Sequence, residues 1–236
     1  MRLDKFFSDL GILSRRDCAR AVSRGEITVD GVPALRADMK IDETRARVTF
    51  GGEVIVYAKY VYIMLHKPGG YISATTDGHA PVVTELLPET LQRRGLFPCG
   101  RLDKDTTGFM LLTDNGPLAH KLLSPRHHVE KVYAFTLDHP LPLGAEERFL
   151  AGVTIGGELC KPASLSLSSD RRSGEIVLTE GKYHQIKRMM QSEGATVLTL
   201  SRESFGGIPL DPALSAGEWR YLTAAEEAKL LSHDKQ

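Results

Sequence analysis

The first part of the chain alternates apolar and polar residues with the period of a helix. An apolar stripe with the spacing i, i+3, i+4 and i+7 consists of Leu3, Phe6, Phe7 and Leu10. This spacing predicts a short amphipathic helix, which Gly11 can end. Ser14 and Asp17 then have the spacing of a capping box, with Asp in place of the usual Glu. A second helix is therefore expected over residues 15–24.

A hairpin is expected after the second helix. Residues 27–29 (Ile-Thr-Val) form a short β-type run that leads directly into Asp30 and Gly31, and Asp-Gly is a favoured two-residue hairpin turn. Helical and turn signals fade over residues 51–59. We therefore predict a small first domain, residues 1–57, made of two helices and a small sheet.

From residue 60 onward the pattern changes to strands. Five segments rich in β-branched and aromatic residues, each bounded by turn residues, have the length of strands: 60–68, 109–114, 131–138, 174–180 and 196–203. Helical patterns lie near 115–123, 184–193 and 223–231. Strands joined mainly through hairpins, with helices between them, predict an α+β domain over residues 60–232. Its sheet is expected to be mixed and mainly antiparallel.

The composition of the 236 residues is that of a soluble globular protein, with 42% hydrophobic and 25% charged residues. No run of about 18 apolar residues predicts a membrane span, and the N-terminal sequence lacks the apolar core of a secretory signal. The three cysteines are widely spaced and form no CxxC pair, so neither a disulfide framework nor a zinc site is indicated. These features favour a cytoplasmic protein without a bound metal.

Charge alone leaves the partner open. The 30 basic residues are balanced by 30 acidic ones, whereas non-specific binding of nucleic acid depends mainly on neutralising phosphates. A neutral chain must therefore bind RNA through local basic patches. The polar side of the two N-terminal helices carries one such patch: Arg2, Lys5, Arg15, Arg16, Arg20 and Arg24.

Part of this N-terminal basic patch forms a regular row. Arg16, Arg20 and Arg24 are each four residues apart and so share one helix face. Taken alone, such a row is an ordinary solvated face of a helix. The whole segment RLDKFFSDLGILSRRDCARAVSRGEITVDGV, however, resembles the S4 RNA-binding domain. The resemblance implies that these cations contact structured RNA, without indicating which RNA.

The segment GRLDKDTTGFMLLTDNG, residues 100–116, places Asp103 in a turn-rich loop directly before an apolar strand. A loop fixed to a strand can aim a reactive side chain, although a lone loop aspartate usually serves as a turn residue. The segment resembles motif II of the pseudouridine synthases, in the form found in the RsuA/RluB branch. In that family the aspartate of the Arg-Leu-Asp run is the nucleophile.

Three further segments are similar to the same branch in order and spacing. They are HKPGGYISATTDG (66–78), SPRHHVEKVYAF (124–135) and EGKYHQIKRMM (180–190). The chain departs from the family at His66, where Asn is more common, and at Phe109, where Leu is more common. Neither position is a proposed catalytic one. With the S4-like segment, the resemblance covers nearly the whole chain.

The resemblance implies a role for four residues of the second domain. Asp103 is the nucleophile, and Lys187 is the cation that pairs with it and favours its charged form. Tyr133 stacks on the flipped target base, although without the motif it would be taken for a core aromatic. Arg101 fills the gap that the base leaves or contacts the flanking backbone.

The expected reaction breaks the N1–C1′ bond of a uridine, turns the uracil and rejoins it through C5. No redox change or outside group is involved, so no cofactor is expected. The target base must first be swung out of folded RNA, at a cost of a few kcal/mol. Attack at C1′, addition at C6 and a glycal route all stay open.

The partner is expected to be 16S rRNA or a small-subunit assembly intermediate. The sequence near residues 124–128 and 180–190 is most similar to that of family members that modify 16S rRNA. This resemblance implies uridine 516 as the target. Further phosphate contacts are expected from Arg126, His127, His128 and Lys131. A monomer without membrane contact suffices for this activity. Two alternatives stay open, namely a 23S rRNA pseudouridine synthase of the same branch and a non-catalytic S4-type assembly factor.

Overall fold

The computed structural model describes residues 1–124 and 129–233. The chain divides into two compact units. The first contains residues 1–61 and 87–96, and the second contains residues 62–86 with the described residues from 97 onward. Within the described chain, no helix combines the length and the apolar character that a membrane crossing requires.

The first unit has the two helices and the hairpin that the sequence predicts. Its elements are α1 (Leu3–Asp9), α2 (Arg15–Ser23), β1 (Ile27–Val29), β2 (Val32–Pro33), β3 (Val48–Phe50), β4 (Glu53–Ile55) and α3 (Glu89–Arg93). The hydroxyl of Ser14 accepts the amide of Asp17 at 3.1 Å, which caps α2. Asp30 and Gly31 both have positive φ, as a tight hairpin turn requires. The sheet order is β2-β1-β3-β4, and all its pairs are antiparallel.

A segment from the middle of the chain, residues 87–96, belongs to this first unit. The guanidinium of Arg94 donates to the carbonyl of Ala58 at 2.6 Å. Gly11 lies against the carbonyl of Thr90, where any Cβ would overlap the oxygen. The predicted second domain, residues 60–232, includes this segment, because local sequence pattern carries no information about such distant packing. The domain limits 1–57 and 60–232 stay a prediction.

The second unit is an α+β unit on a mixed, mainly antiparallel sheet, which confirms the predicted fold class. Its strands are β5 (Tyr62–Lys67), β6 (Phe97–Pro98), β7 (Thr107–Thr113), β8 (Lys131–Leu137), β9 (Thr154–Ile155), β10 (Glu158–Leu159), β11 (Ser164–Leu167), β12 (Ser173–Leu178), β13 (Val197–Phe205), β14 (Ile208–Pro209) and β15 (Trp219–Tyr221). Its helices are α4 (Gly116–Leu123), α5 (Ala145–Ala151), α6 (Gln185–Ser192), α7 (Ala224–Ser232) and a 3-10 helix (Val83–Leu86). The main sheet has the order β11-β12-β8-β13-β7-β5-β15, with β14 beside β13 and β6 beside β7.

One strand pair of this sheet, β7 with β13, is parallel, with Thr107 opposite Ser201 and Gly108 opposite Arg202. The approach is very close, since a Cβ at position 108 would overlap the backbone nitrogen and oxygen of Arg202. Gly108 also has φ +99°, a conformation that other residues avoid. Because the two strands run in the same direction, the segments that precede them lie toward the same end of the sheet.

We predict that Gly108→Ala destabilises the protein by at least about 2 kcal/mol, because both the overlap and the positive φ must be relieved. Denaturant unfolding followed by circular dichroism measures this loss. Gly116→Ala is the matched control, since nothing lies within 4 Å of its added Cβ. The control is expected to be neutral or slightly stabilising because position 116 starts a helix. Equal stability of the two variants would contradict the prediction.

Candidate active site

A buried lysine hydrogen-bonds the backbone of the loop that carries Asp103. Lys67, at the end of β5, is fully buried, and its Nζ donates to three backbone carbonyls: Pro68 at 3.1 Å, Lys104 at 3.2 Å and Thr106 at 2.7 Å. The hydroxyl of Ser73 donates to the carbonyl of Leu102 and accepts the Leu102 amide, both at 2.9 Å. Burial lowers the pKa of Lys67 to about 8. Backbone on both sides of Asp103 is therefore fixed.

Asp103 meets a lysine from a distant part of the chain. The Nζ of Lys187, on α6, lies 3.1 Å from Oδ2 of Asp103 and 2.6 Å from Oδ1 of Asp105. The side chains of Asp103 and Lys187 are 27% and 25% exposed, whereas that of Asp105 is 75% exposed. The ion pair is thus partly shielded but open to a ligand, and the second carboxylate holds the lysine from the solvent side.

The shared lysine stays charged at neutral pH. Burial acts to lower the pKa of Lys187, but its hydrogen bonds to Asp105 and Asp103 outweigh burial and raise that pKa above its ordinary value. The hydrogen bond from Lys187 likewise lowers the pKa of Asp105. Lys187 therefore holds a positive charge within 3.1 Å of the Asp103 carboxylate.

A histidine stands on the other side of Asp103. Nε2 of His184 lies 3.6 Å from Oδ1 of Asp103. His184 precedes α6 and has φ +50°, in the left-handed region that residues other than glycine seldom adopt. Its ring stacks on that of Tyr183, with the ring centroids 3.9 Å apart. The strained backbone therefore directs an imidazole at the carboxylate.

These residues open onto a cavity of about 650 Å³, within the size range of small-ligand sites. Asp103, Tyr133, Lys187 and Arg101 all line this cavity, so the structure brings the four residues predicted for the site together. Tyr133 is 8% exposed, whereas Arg101 is exposed. The cavity has a volume suited to a single nucleotide and an aromatic side chain in its lining.

The N-terminal basic patch is partly neutralised by neighbouring carboxylates. Four of its six cations form salt bridges: Arg2 with Asp4, Lys5 with Asp9, Arg20 with Asp17 and Arg24 with Glu26. Arg15 and Arg16 are exposed, and within the described chain they lie in no salt bridge. Arg15 lines a shallow surface groove together with Arg36, which the sequence analysis did not single out.

The remaining predicted RNA contacts lie elsewhere. Arg126, His127 and His128 fall outside the described residues. Lys131, at the start of β8, is 9% exposed and lines the cavity rather than an outer surface. The assignment of all these residues to RNA binding stays a prediction.

Four residues of the site were not found from the sequence: Lys67, Asp105, His184 and Arg202. Two of them carried a signal, because Lys67 and Arg202 are charged residues inside apolar strands, where an unpaired charge is costly. Asp105 had the appearance of a turn residue. His184 gave no signal, since its approach to Asp103 depends on a left-handed backbone that the sequence does not show.

Comparison with known proteins identifies the family. A family model described as RNA pseudouridylate synthase matches residues 61–192. A model of the S4 domain matches residues 1–45. The chain belongs to the RNA pseudouridylate synthase family.

Several members of the RNA pseudouridylate synthase family are similar over their full length. The chain is 41% identical to an uncharacterized RNA pseudouridine synthase of Bacillus subtilis, with 98% of each chain covered. It is 40% identical to the ribosomal small subunit pseudouridine synthase A of Vibrio cholerae, covering 98% of this chain and 99% of the relative. The Escherichia coli protein of that name is 39% identical, with 98% and 100% covered. A crystal structure of a pseudouridylate synthase, 33% identical, superposes with a TM-score of 0.69 over 98% of this chain and 99% of the other.

The site suits the chemistry of a pseudouridine synthase. Isomerising uridine requires a group that engages the nucleotide and a wall on which the base can rest. The rigid loop presents the Asp103 carboxylate beside a charged Lys187, and the cavity next to it has an aromatic side. This arrangement can bind one nucleotide and suits the exchange of its N1–C1′ bond for a C5–C1′ bond.

We predict that His184→Gly is more stable than His184→Ala by about 1 kcal/mol, because glycine adopts the left-handed conformation without steric cost. Both variants lack the imidazole, so the comparison isolates the backbone. Thermal and denaturant unfolding measure the difference. A lower stability for the glycine variant would show that position 184 carries no such strain.

Proposed function

We propose that this pseudouridine synthase converts a uridine of 16S rRNA into pseudouridine, with Asp103 as the nucleophile. The observation that carries the proposal is the 3.1 Å ion pair between Asp103 and Lys187 at the wall of a nucleotide-sized cavity. Relatives about 40% identical over their whole length are named ribosomal small subunit pseudouridine synthase A. These names support small-subunit rRNA as the substrate, and the resemblance to 16S-modifying enzymes points to uridine 516.

Each residue of the site has a proposed role. Lys187 pairs with Asp103 and orients its carboxylate, and Asp105 holds that lysine from the solvent side. Tyr133 stacks on the flipped uracil, which recovers roughly 1–3 kcal/mol of the cost of unstacking it. Arg101, exposed at the cavity, occupies the gap in the RNA or contacts its backbone. The reaction needs no cofactor, and we place it in the cytoplasm with the enzyme as a monomer.

The alternative function is that of a non-catalytic assembly factor. It is tested with Asp103→Asn, which replaces the carboxylate by an amide of nearly the same size. We expect pseudouridine formation to fall by at least about 10³-fold, as happens when a catalytic nucleophile is removed. Carbodiimide labelling followed by primer extension on in vitro transcribed 16S and 23S rRNA, each incubated separately, measures the product and its position.

The matched control for this experiment is Asp170→Asn, an aspartate of an exposed turn whose carboxylate contacts Ser168 and the amide of Arg172. It is expected to retain wild-type activity. Modification that survives Asp103→Asn would remove this carboxylate from the mechanism, and modification of 23S rRNA alone would replace the proposed substrate.

The S4-type unit is proposed to bind the rRNA through Arg15 and Arg16, the two exposed arginines of the patch outside the described salt bridges. Deleting the whole unit is a poor test, because residues 87–96 would lose their packing partners. We predict instead that the double substitution of Arg15 and Arg16 to Ala weakens RNA affinity. The slope of log affinity against log salt concentration should fall by about one for each arginine, which corresponds to one lost phosphate contact each. The single-turnover rate at saturating RNA should not change.

Filter binding at several salt concentrations measures this effect. Arg45→Ala is the control, since Arg45 is an exposed arginine of the same unit whose side chain lies 3.9 Å from Asp42. Equal losses in the control and in the double variant would mean that α2 has no special part in binding.

A further inference from the structure

The floor of the cavity is formed by two neighbouring strands that carry two cations. On β8, Lys131 and Tyr133 are two residues apart and so project from the same face of the sheet. Arg202 of β13 stands directly opposite Tyr133 in the antiparallel ladder, and directly opposed side chains share a face. All three line the same cavity as Asp103. We call Lys131 and Arg202 the cationic floor.

Arg202 is buried, and its described hydrogen bonds go to neutral groups. It is 1% exposed, its Nε donates to the carbonyl of Phe109 at 2.7 Å, and its second contact is Sδ of Met110 at 3.9 Å. Its Cζ lies 5.1 Å from the ring centroid of Phe205. Within the described residues, no carboxylate lies in salt-bridge range of this guanidinium. Neutral contacts replace only part of the hydration that a buried cation loses.

Lys131 repeats this pattern. It is 9% exposed, and its Nζ donates to the carbonyl of Val129 at 2.9 Å and lies 5.8 Å from the ring centroid of Phe205. Burial first, and then the charge of Arg202, lower the pKa of Lys131 to about 8. Two buried cations that repel each other would both be stabilised by a negative charge in the cavity.

The carboxylates that line the cavity already have other partners. Asp103 is paired with Lys187. Oε1 of Glu180 accepts from Nε2 of Gln185 at 2.6 Å and from the amide of Lys161 at 3.1 Å. The charge that would complement the cationic floor is therefore expected to come from the ligand.

Uridine isomerisation generates such a charge on the uracil ring. When the N1–C1′ bond breaks, its electron pair stays on the ring and spreads from N1 to O2 and O4. If Asp103 instead adds to C6, the C5=C6 electron pair moves to O4, and the O–C6 bond breaks again after C5 has joined C1′, which restores the C5=C6 double bond and the free carboxylate. When C5 has joined C1′, the C5 proton leaves, N1 gains a proton and the ring is neutral again. Every route left open thus passes through negative charge on the uracil oxygens.

We propose that Arg202 and Lys131 bind the carbonyl edge of the flipped uracil and stabilise the uracil anion as the N1–C1′ bond breaks. This inference rests on the proposed function and adds the group that takes up the charge. Tyr133 neighbours both cations on this face of the sheet, two residues from Lys131 along β8 and directly opposite Arg202 on β13. A base stacked on Tyr133 would therefore lie next to both of them. Fixed, buried charges act strongly because no solvent has to reorganise. Their burial favours contact with the base over contact with the outer phosphates.

The test uses the full-length protein and a 16S rRNA fragment with either uridine or 5-fluorouridine at the target. Single-turnover loss of the N-glycosidic bond is followed by nuclease digestion and chromatography for Arg202→Met and Lys131→Met. For uridine we expect rates to fall by about 10²-fold or more, the usual effect of removing one preorganised donor. Fluorine withdraws electrons and already stabilises the uracil anion, so the loss should be clearly smaller for 5-fluorouridine. RNA affinity should not change.

Ser204→Ala is the matched control, because Ser204 lies on the same strand, outside the cavity lining. Neither substitution leaves an unpaired buried carboxylate, because the described hydrogen bonds of Arg202 and Lys131 to oxygen go to the carbonyls of Phe109 and Val129. Lys131→Met gives a second, independent variant if Arg202→Met does not fold. Equal losses on both nucleotides would overturn the proposal, since they indicate a structural role. Weaker RNA binding with an unchanged rate would overturn it in favour of a phosphate contact. A wild-type protein inactive on uridine would refute the proposed function instead.

Discussion

The parallel alignment of β7 and β13 is the constraint on which the site depends. The loop with Asp103 precedes β7, and α6 with Lys187 precedes β13, so one strand pairing brings together residues far apart in the chain. The close approach is possible because position 108 has no side chain. The same pairing sets Arg202 into the cavity floor. This strand pairing therefore brings the carboxylate, its lysine and the buried guanidinium to one site, where Lys67 and Ser73 fix the loop of Asp103.

The charges of the site are separated in space. Asp103 and Asp105 share one lysine at one part of the site, whereas Lys131 and Arg202 form the cationic floor. A nucleobase between them would experience a field that draws electrons from the sugar toward the ring oxygens. The overall charge of the protein, which is zero, conceals this local separation. The same holds for the first unit, where adjacent carboxylates offset most of the arginines.

Local pattern was sufficient for much of the fold. The apolar stripe of α1, the Ser14 cap of α2 and the Asp30-Gly31 turn are fixed by neighbouring residues, and all are observed. Short elements such as β9 and β10, with two residues each, are too brief to produce a periodic signal. The packing of residues 87–96 with the first unit depends on distant contacts. For the same reason Arg202 was missed, since its position depends on sheet order and not on its own segment.

The interaction of Lys187 with two carboxylates has a practical consequence. If Asp103 loses its charge, the lysine keeps its shorter contact with Asp105 at 2.6 Å, so its position does not depend on the nucleophile alone. The variant Asp103→Asn should therefore keep the shape of its cavity and its affinity for RNA. Such a variant is suited to capturing the substrate. It would stay bound to the RNA that it no longer modifies, and that RNA can then be cross-linked and sequenced.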